Sequence, residues 1–492
     1  MPEALHDVFE SAAPERPSLQ RRVAMARLET KWIRMSEHMK LQLPVDVRDK
    51  VSEALKTTLK ARLGGALKAY REQGGLSGAA RYGLNPPFLQ NFLVQKMRMH
   101  IANAMGFATP WDAARLQSSW EAYTEANGWS SSSVALEVVH LPTDEELPST
   151  AAAFVKVKDE LTLATDRLLH VWCFITPTRT YLAGRFQFGQ LDGTSIFNFL
   201  KGLVETYFTS IPPQTRSTSG ATDAIEFDAQ VGKQKFGLLH ALLTAYEEAL
   251  TNAYFQATGT PMKWSDAKNE QVVACVTFDS GTSAGWRGSF SQGSKGDSAP
   301  PRSAFGWMLA SVAGAIKRQL PSMPFLYMVT PVSWQRRIYR PLKEARLVGH
   351  WLSSRTSWLD LEKLAAAPVA YTEAYHAVLA KEASEVSGAC RRQIARNFLF
   401  GDSTLNTQLH RAFWLNNYGR RDVHPDAGEV EYFWGPNAVC PYLLLMNTVT
   451  LNGRTCTTFE SQQLTQATLD VICEEYAREY RERSSAQPAP VS

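Results

Sequence analysis

Residues 168–207, LLHVWCFITPTRTYLAGRFQFGQLDGTSIFNFLKGLVETY, restrict the fold more than any other stretch of the chain. Two apolar runs of strand length, Leu168–Ile175 and Tyr181–Phe188, flank a Thr-Pro-Thr-Arg turn and read as a hairpin. A short loop through Asp192-Gly193 then opens a helix, with Ile196, Phe199, Leu200 and Leu203 at helical spacing. A hairpin that feeds an amphipathic helix belongs to a sheet carrying a helical layer.

The 492 residues suffice for two packed parts, and 44% apolar with 20% charged residues is ordinary for a soluble globular protein. A net charge of +4, spread along the chain, does not point to nucleic acid. Thirteen Trp and 23 Phe suit a large core with an aromatic-lined cavity. The cysteines at 173, 275, 390, 440, 456 and 473 form no C-x-x-C, and no His pair has metal-ligand spacing. Reduced core thiols and no metal are expected. No secretory leader is visible, and no window approaches the roughly 18 to 20 apolar residues of a membrane span. The chain reads as soluble and cytoplasmic.

Before residue 130 the patterning is mainly helical. A basic amphipathic helix covers Val47–Tyr70, with Leu55, Leu59 and Leu63 opposite Lys56 and Lys60. A solvated surface helix is the simpler reading; a membrane surface or an acidic partner is the other. Phe88, Phe92, Leu93 and Met97 predict a helix reaching about Met105, and another spans about Pro110 to Ala126. From Ser133 the texture changes. Strands are expected at Val134–His140, Val272–Phe278, Met323–Val329, Val348–Ser353, Asn437–Thr450 and Thr455–Glu460. Phe154–Val157 is ambiguous. Helices are expected at Phe236–Tyr254, Phe305–Ile316, Ala365–Phe398 and Gln463–Tyr480, with a Ser/Gly-rich crossover at Asp279–Arg302. The expected division is 1–130, 131–290 and 291–492, with an active site between the latter two.

Strand, Asp-Gly and helix in this order resemble the central element of the chloramphenicol-acetyltransferase-like superfamily, which includes BAHD acyltransferases and peptide-synthetase condensation domains. The signature of that superfamily is His-x-x-x-Asp-Gly, with the His as general base. Asp192-Gly193 is intact here, but Gln187-Phe188 stands where many relatives have His-His. A second resemblance, to the BAHD Asp-Phe-Gly-Trp-Gly motif, lies about 240 residues later in Glu431-Tyr432-Phe433-Trp434-Gly435-Pro436. The stretches Met328–Arg337 and Leu347–Trp351 resemble a segment that ends in Gly-Asn in many relatives; here the Gly is followed by His350. The resemblance covers about Val134 to Tyr480. It implies an α/β fold of two acyltransferase-like lobes around a central tunnel, preceded by the mainly helical N-terminal portion.

By that resemblance Asp192 is a structural anchor commonly paired to an Arg, for which Arg185 is a nearby candidate, and Gly193 and Gly435 allow tight backbone. Gln187, Phe188, Tyr432 and Trp434 become candidate substrate-binding residues, and Gln190 and His350 the candidate catalytic ones. An amide is no base and a phenyl ring carries no proton, so proton transfer cannot run from residue 188. His350 would be a relocated base, although a packed or surface His is the simpler reading. His170 and His240 read as core histidines, Cys440 as an inert thiol.

Three functions remain open. One is acyl transfer from a thioester to a hydroxyl or amine of a hydrophobic small molecule. Acyl-CoA or a carrier-protein thioester would be co-substrate, a carrier protein the partner, and no cofactor would be bound. Another is a cyclisation or pericyclic step in the same tunnel, needing a water-poor pocket and no dedicated base. The last is a non-catalytic condensation-like docking module, marked by an exposed apolar patch.

Overall fold

The computed structural model describes residues 100–161, 167–187, 191–213, 215–217, 271–279, 304–321, 325–333, 346–348, 352–366, 412–437 and 443–485. The elements in chain order open with β1 (His100–Phe107), α1 (Ala113–Ala126), β2 (Val134–His140) and α2 (Thr150–Asp159). Next come β3 (Leu169–Ile175), β4 (Thr180–Gln187), α3 (Gly193–Thr209), β5 (Thr215–Ser217) and β6 (Val272–Asp279). Then follow α4 (Ala304–Gln319), β7 (Phe325–Ser333), β8 (Arg346–Val348), β9 (Leu352–Asp360) and α5 (Leu361–Ala366). The chain closes with β10 (Ala412–Arg421), β11 (Val430–Asn437), β12 (Leu444–Leu451), β13 (Arg454–Ser461) and α6 (Gln466–Ser485).

Five strands form the first sheet in the order β11-β1-β4-β3-β2, and six form the second in the order β6-β13-β12-β10-β7-β9. Each sheet takes a strand from the other of the two expected parts, 131–290 and 291–492. β11 pairs antiparallel to β1, while β6 pairs antiparallel to β13. The predicted hairpin is β3–β4, closed by the Thr176 N–H to Arg179 carbonyl bond at 2.9 Å.

The helix expected to reach Met105 is corrected. His100–Phe107 is a strand lying between β11 and β4, with seven of its eight residues buried. Its sequence HIANAMGF has small residues at alternate positions, Ala102, Ala104 and Gly106. On a strand these three share one face. With Ala183 and Gly435 opposite them they leave a shallow trough, and α2 lies in it. A Cβ on Gly106 would overlap Thr150, the first residue of α2. Burial on both faces overrides the helix preference of Ala and Met. The ambiguous stretch at 154–157 is helical and lies within α2.

The opposite face of the first sheet holds α1 and α3. Trp120, Tyr123 and Trp129 meet Phe199 edge-on, with centroids 5.2–5.8 Å apart. α3 buries Ile196, Phe197, Phe199, Leu200, Leu203 and Val204. Each such side chain contributes about 1.5–3 kcal/mol, so docking rather than propensity holds this helix. On the second sheet, Phe278, Phe459, Tyr476 and Tyr480 cluster between strands and α6. The helices expected at Phe236–Tyr254 and Ala365–Phe398 lie outside the described residues but for the last turn of α5 at residues 365–366.

Candidate functional site

β4 ends at Gln187, where β1 begins and β11 ends. Residues 188–190 lie outside the described residues, and the chain resumes at Leu191 and Asp192. The Leu191 N–H returns to the Gln187 carbonyl at 3.2 Å. Asp192 is fully buried and caps α3: its Oδ1 accepts from the Ser195 N–H at 2.8 Å. That bond satisfies one of the four free donors at the helix start.

Gly193 is the first residue of α3, and Tyr418 of β10 lies directly against it. A Cβ there would overlap the Tyr418 hydroxyl and sit 2.6 Å from its Cζ. Tyr418 in turn stacks on Trp434, centroids 4.4 Å apart and planes within 9°. It occupies an irregularity of β10, where the register to β12 shifts between Asn417 and Arg420 and Gly419 takes φ +68°. Such a bulge re-aims a side chain. The hydroxyl is buried without a hydrogen-bond partner, and burial holds it well above its ordinary pKa. Tyr418 therefore stays neutral and is available as a donor.

Tyr432 and Trp434 share the α3 side of β11. The Tyr432 hydroxyl accepts from Asn103 Nδ2 at 3.2 Å, and its ring meets Phe197 edge-on at 5.5 Å. The Trp434 carbonyl accepts from Asn447 Nδ2 at 2.9 Å, and Asn447 Oδ1 accepts from Asn416 Nδ2 at 2.6 Å. These bonds tie β11 of the first sheet to β10 and β12 of the second.

The α2 side of the same sheet end holds a buried charged cluster. Arg185 donates Nη2 to the Lys158 carbonyl at 3.1 Å, and the Asp159 carboxylate acts on its guanidinium. The Lys158 ammonium pairs with Glu460 Oε2 of β13, and Gln271 donates to the same oxygen. Glu460 Oε1 is buried without a partner and fills the space that a side chain on Gly435 would take. Burial outweighs the ammonium and lifts the Glu460 carboxyl above 4.5. Two cations and the Glu460 carboxylate thus share a water-poor corner, with Asp159 at its exposed edge, a costly arrangement unless each buried charge is paired.

Sequence reasoning did not single out His100, Tyr418, Lys158 or Glu460. His100 is half-buried at the start of β1, directly opposite Gln187. Its Nδ1 is buried without a partner. Burial, then the Arg185 charge, lowers its pKa below 6.5.

Of the sequence candidates, Arg185, Gln187, Asp192, Gly193, Tyr432, Trp434 and Gly435 lie around this sheet end. Arg185, offered as a partner for Asp192, instead donates to Lys158 and faces Asp159. Phe188, Gln190 and His350 lie outside the described residues, as do His240 and Cys440. His170, read as a core histidine, is half-buried; it stacks on Trp172 at 3.8 Å, and its Nε2 is 3.6 Å from Glu137. Among the described residues no group of three His, Cys, Asp or Glu could hold a metal ion, and no helix is long and apolar enough to cross a membrane.

No family model matches the sequence, and no curated protein matches it. Solved structures match in shape. The cyclization-docking bidomain of the peptide synthetase EpoB from Sorangium cellulosum superposes with a TM-score of 0.52 at 14% identity, over 91% of this chain and 93% of that one. The epimerization domain from the third module of tyrocidine synthetase B gives a TM-score of 0.51 at 13% identity, over 82% and 95%.

Proposed function

For a chain with the chloramphenicol-acetyltransferase-like fold of condensation domains, we propose transfer of an acyl group from a thioester to the amine or hydroxyl of a hydrophobic small molecule. The donor is acyl-CoA or the thioester of a carrier protein, which then becomes the partner. The observation that carries this reading is the join between the two sequence motifs. Gly193 of the first lies under Tyr418, and Tyr418 stacks on Trp434 of the second.

As the nucleophile attacks, negative charge develops on the thioester oxygen and asks for a donor held in place beforehand. The neutral Tyr418 hydroxyl, at the positive end of α3, suits that task. Asp192 keeps the architectural role implied by its cap and complete burial. The acceptor's proton goes to a group other than residue 188, since Phe188 cannot take it.

A cyclisation on the same fold is the second reading, favoured by the aromatic setting of Phe197, Tyr418, Tyr432 and Trp434 with its hydroxyl donors. Incubation with acetyl-, butyryl- and octanoyl-CoA plus amine and alcohol acceptors, followed by mass spectrometry, separates the readings. Acylated acceptor and free CoA thiol are expected. Thioester binding without turnover, together with an isomerised product of unchanged mass from a polyene or polyketide-like acceptor, favours cyclisation. Absence of thioester binding leaves the docking module.

A further inference from the structure

We infer that Asn417 is the positioning residue for the Tyr418 hydroxyl, fixing the donor that meets the charge developing on the thioester oxygen. This rests on the acyl-transfer reading, in which Tyr418 is that donor, and names what holds it in place.

In β10, Asn416 pairs with Asn447 and Asn417 with Thr448; pairing resumes only at Arg420, with Thr450. Tyr418 and Gly419 thus stand together opposite Val449, two residues against one, which makes a bulge. A bulge breaks the ladder locally, and here a side chain supplies a bond in its place. The Gly419 N–H donates to Asn417 Oδ1 at 2.7 Å. This bond returns from residue i+2 to the side chain of residue i, an Asx turn, and the residue it encloses is Tyr418. Gly419 closes the turn with φ +68°, a region that glycine enters without steric penalty. A Cβ there would meet nothing within 4 Å, so backbone conformation and not crowding calls for the glycine.

Between these two fixed points stands the ring that lies against Gly193 and stacks on Trp434. On the N-terminal side, Asn416 bonds Asn447, which bonds the Trp434 carbonyl, so β10 is tied to β11 just before the turn. The Asx turn then sets the angle at which the ring leaves the strand. The Tyr418 hydroxyl has no hydrogen-bond partner of its own. Its direction is therefore set by the backbone beneath it. An oxyanion donor must stand about 2.7–3.1 Å from the oxygen it serves, and a displacement of about 1 Å costs roughly 100-fold in rate.

The test uses the full chain, octanoyl-CoA and the acceptor that is acylated in the assay above. Tyr418→Phe should lower kcat about 100- to 1,000-fold. Asn417→Ala should lower it about 100-fold, with KM for octanoyl-CoA unchanged. In the Tyr418→Phe background, adding Asn417→Ala should lower kcat no further, because the clamp then has no hydroxyl to place. Asn417→Asp keeps an acceptor oxygen and should recover most of the lost rate. Should Asn417→Ala misfold by circular dichroism, Gly419 tests the same turn from its other end. Gly419→Val, which resists φ +68°, should lower kcat as Asn417→Ala does, and Gly419→Asn, which tolerates it, should lower kcat far less. Loss of rate in Tyr418→Phe without loss in Asn417→Ala, or equal losses from Asn417→Ala in both backgrounds, overturns the inference while acyl transfer stands. Retained kcat in Tyr418→Phe removes Tyr418 as the donor, and absence of acylated product from the wild-type chain removes the acyl-transfer reading; the inference falls with either.

Discussion

Glu460 and Gly435 show how one residue's chemistry fixes another's identity. The carboxylate sits against the Gly435 backbone, so a methyl there would displace it. Removing one member of the Lys158–Glu460 pair strands the other in a dry interior, which costs about 3–5 kcal/mol; replacing both by apolar groups of similar size costs far less. Lys158→Met and Glu460→Leu should therefore each lower stability strongly and the double variant much less, read from urea midpoints in a double-mutant cycle. Additive losses would show that the two charges are not coupled. None of this was legible in advance. Lys158 follows the ambiguous stretch Phe154–Val157, and Glu460 ends the strand expected at Thr455–Glu460, so neither charged residue looks buried from sequence alone.

At the scale of the element, α3 was the most legible part of the chain, because its apolar spacing, its Asp cap and the preceding hairpin agree. Asp192→Ala should cost at least about 1 kcal/mol through loss of the cap, and Asp192→Ser should recover part of it, by thermal or urea denaturation. Gly193→Ala would favour an isolated helix yet should destabilise this one, since the new Cβ meets Tyr418. Tyr418→Phe should relieve that loss only in part, because Cζ stays 2.6 Å away. Equal stability of Gly193→Ala and wild type would contradict the close approach. β1 was misread for a related reason. Its alternating Ala and Gly serve the approach of α2, and small residues carry no period that separates a strand from a helix.

Across the whole molecule, β11 couples the two sheets, being paired to β1 and hydrogen-bonded to β12 through Asn447. Asn447→Leu strips a partner from both the Trp434 carbonyl and the Asn416 amide, and each stranded group costs about 1–3 kcal/mol. Tryptophan fluorescence and far-ultraviolet circular dichroism should then shift their midpoints together; separate shifts would mean that the sheets unfold independently. The contribution of two histidines to stability should fall with acid. His100 and His170 both have pKa values lowered below 6.5, by burial first. The unfolded chain therefore takes up protons before the folded one. Their contribution is complete above 6.5 and is lost as the pH falls through the folded values. Between about pH 7.5 and about 5, the His100→Gln variant should lose less stability than wild type.

By itself the sequence determined what short-range chemistry can encode: the hairpin, the capped helix after Asp192-Gly193, the strands β6, β7, β12 and β13, and the fold they imply. Which strand borders which, and what stands beside the motif, was decided by tertiary pairing. His100 faces Gln187 across 87 positions of sequence, and Tyr418 reaches Gly193 across 225. No local periodicity carries such distances; they are set when two sheets bury their faces and exchange β6 and β11.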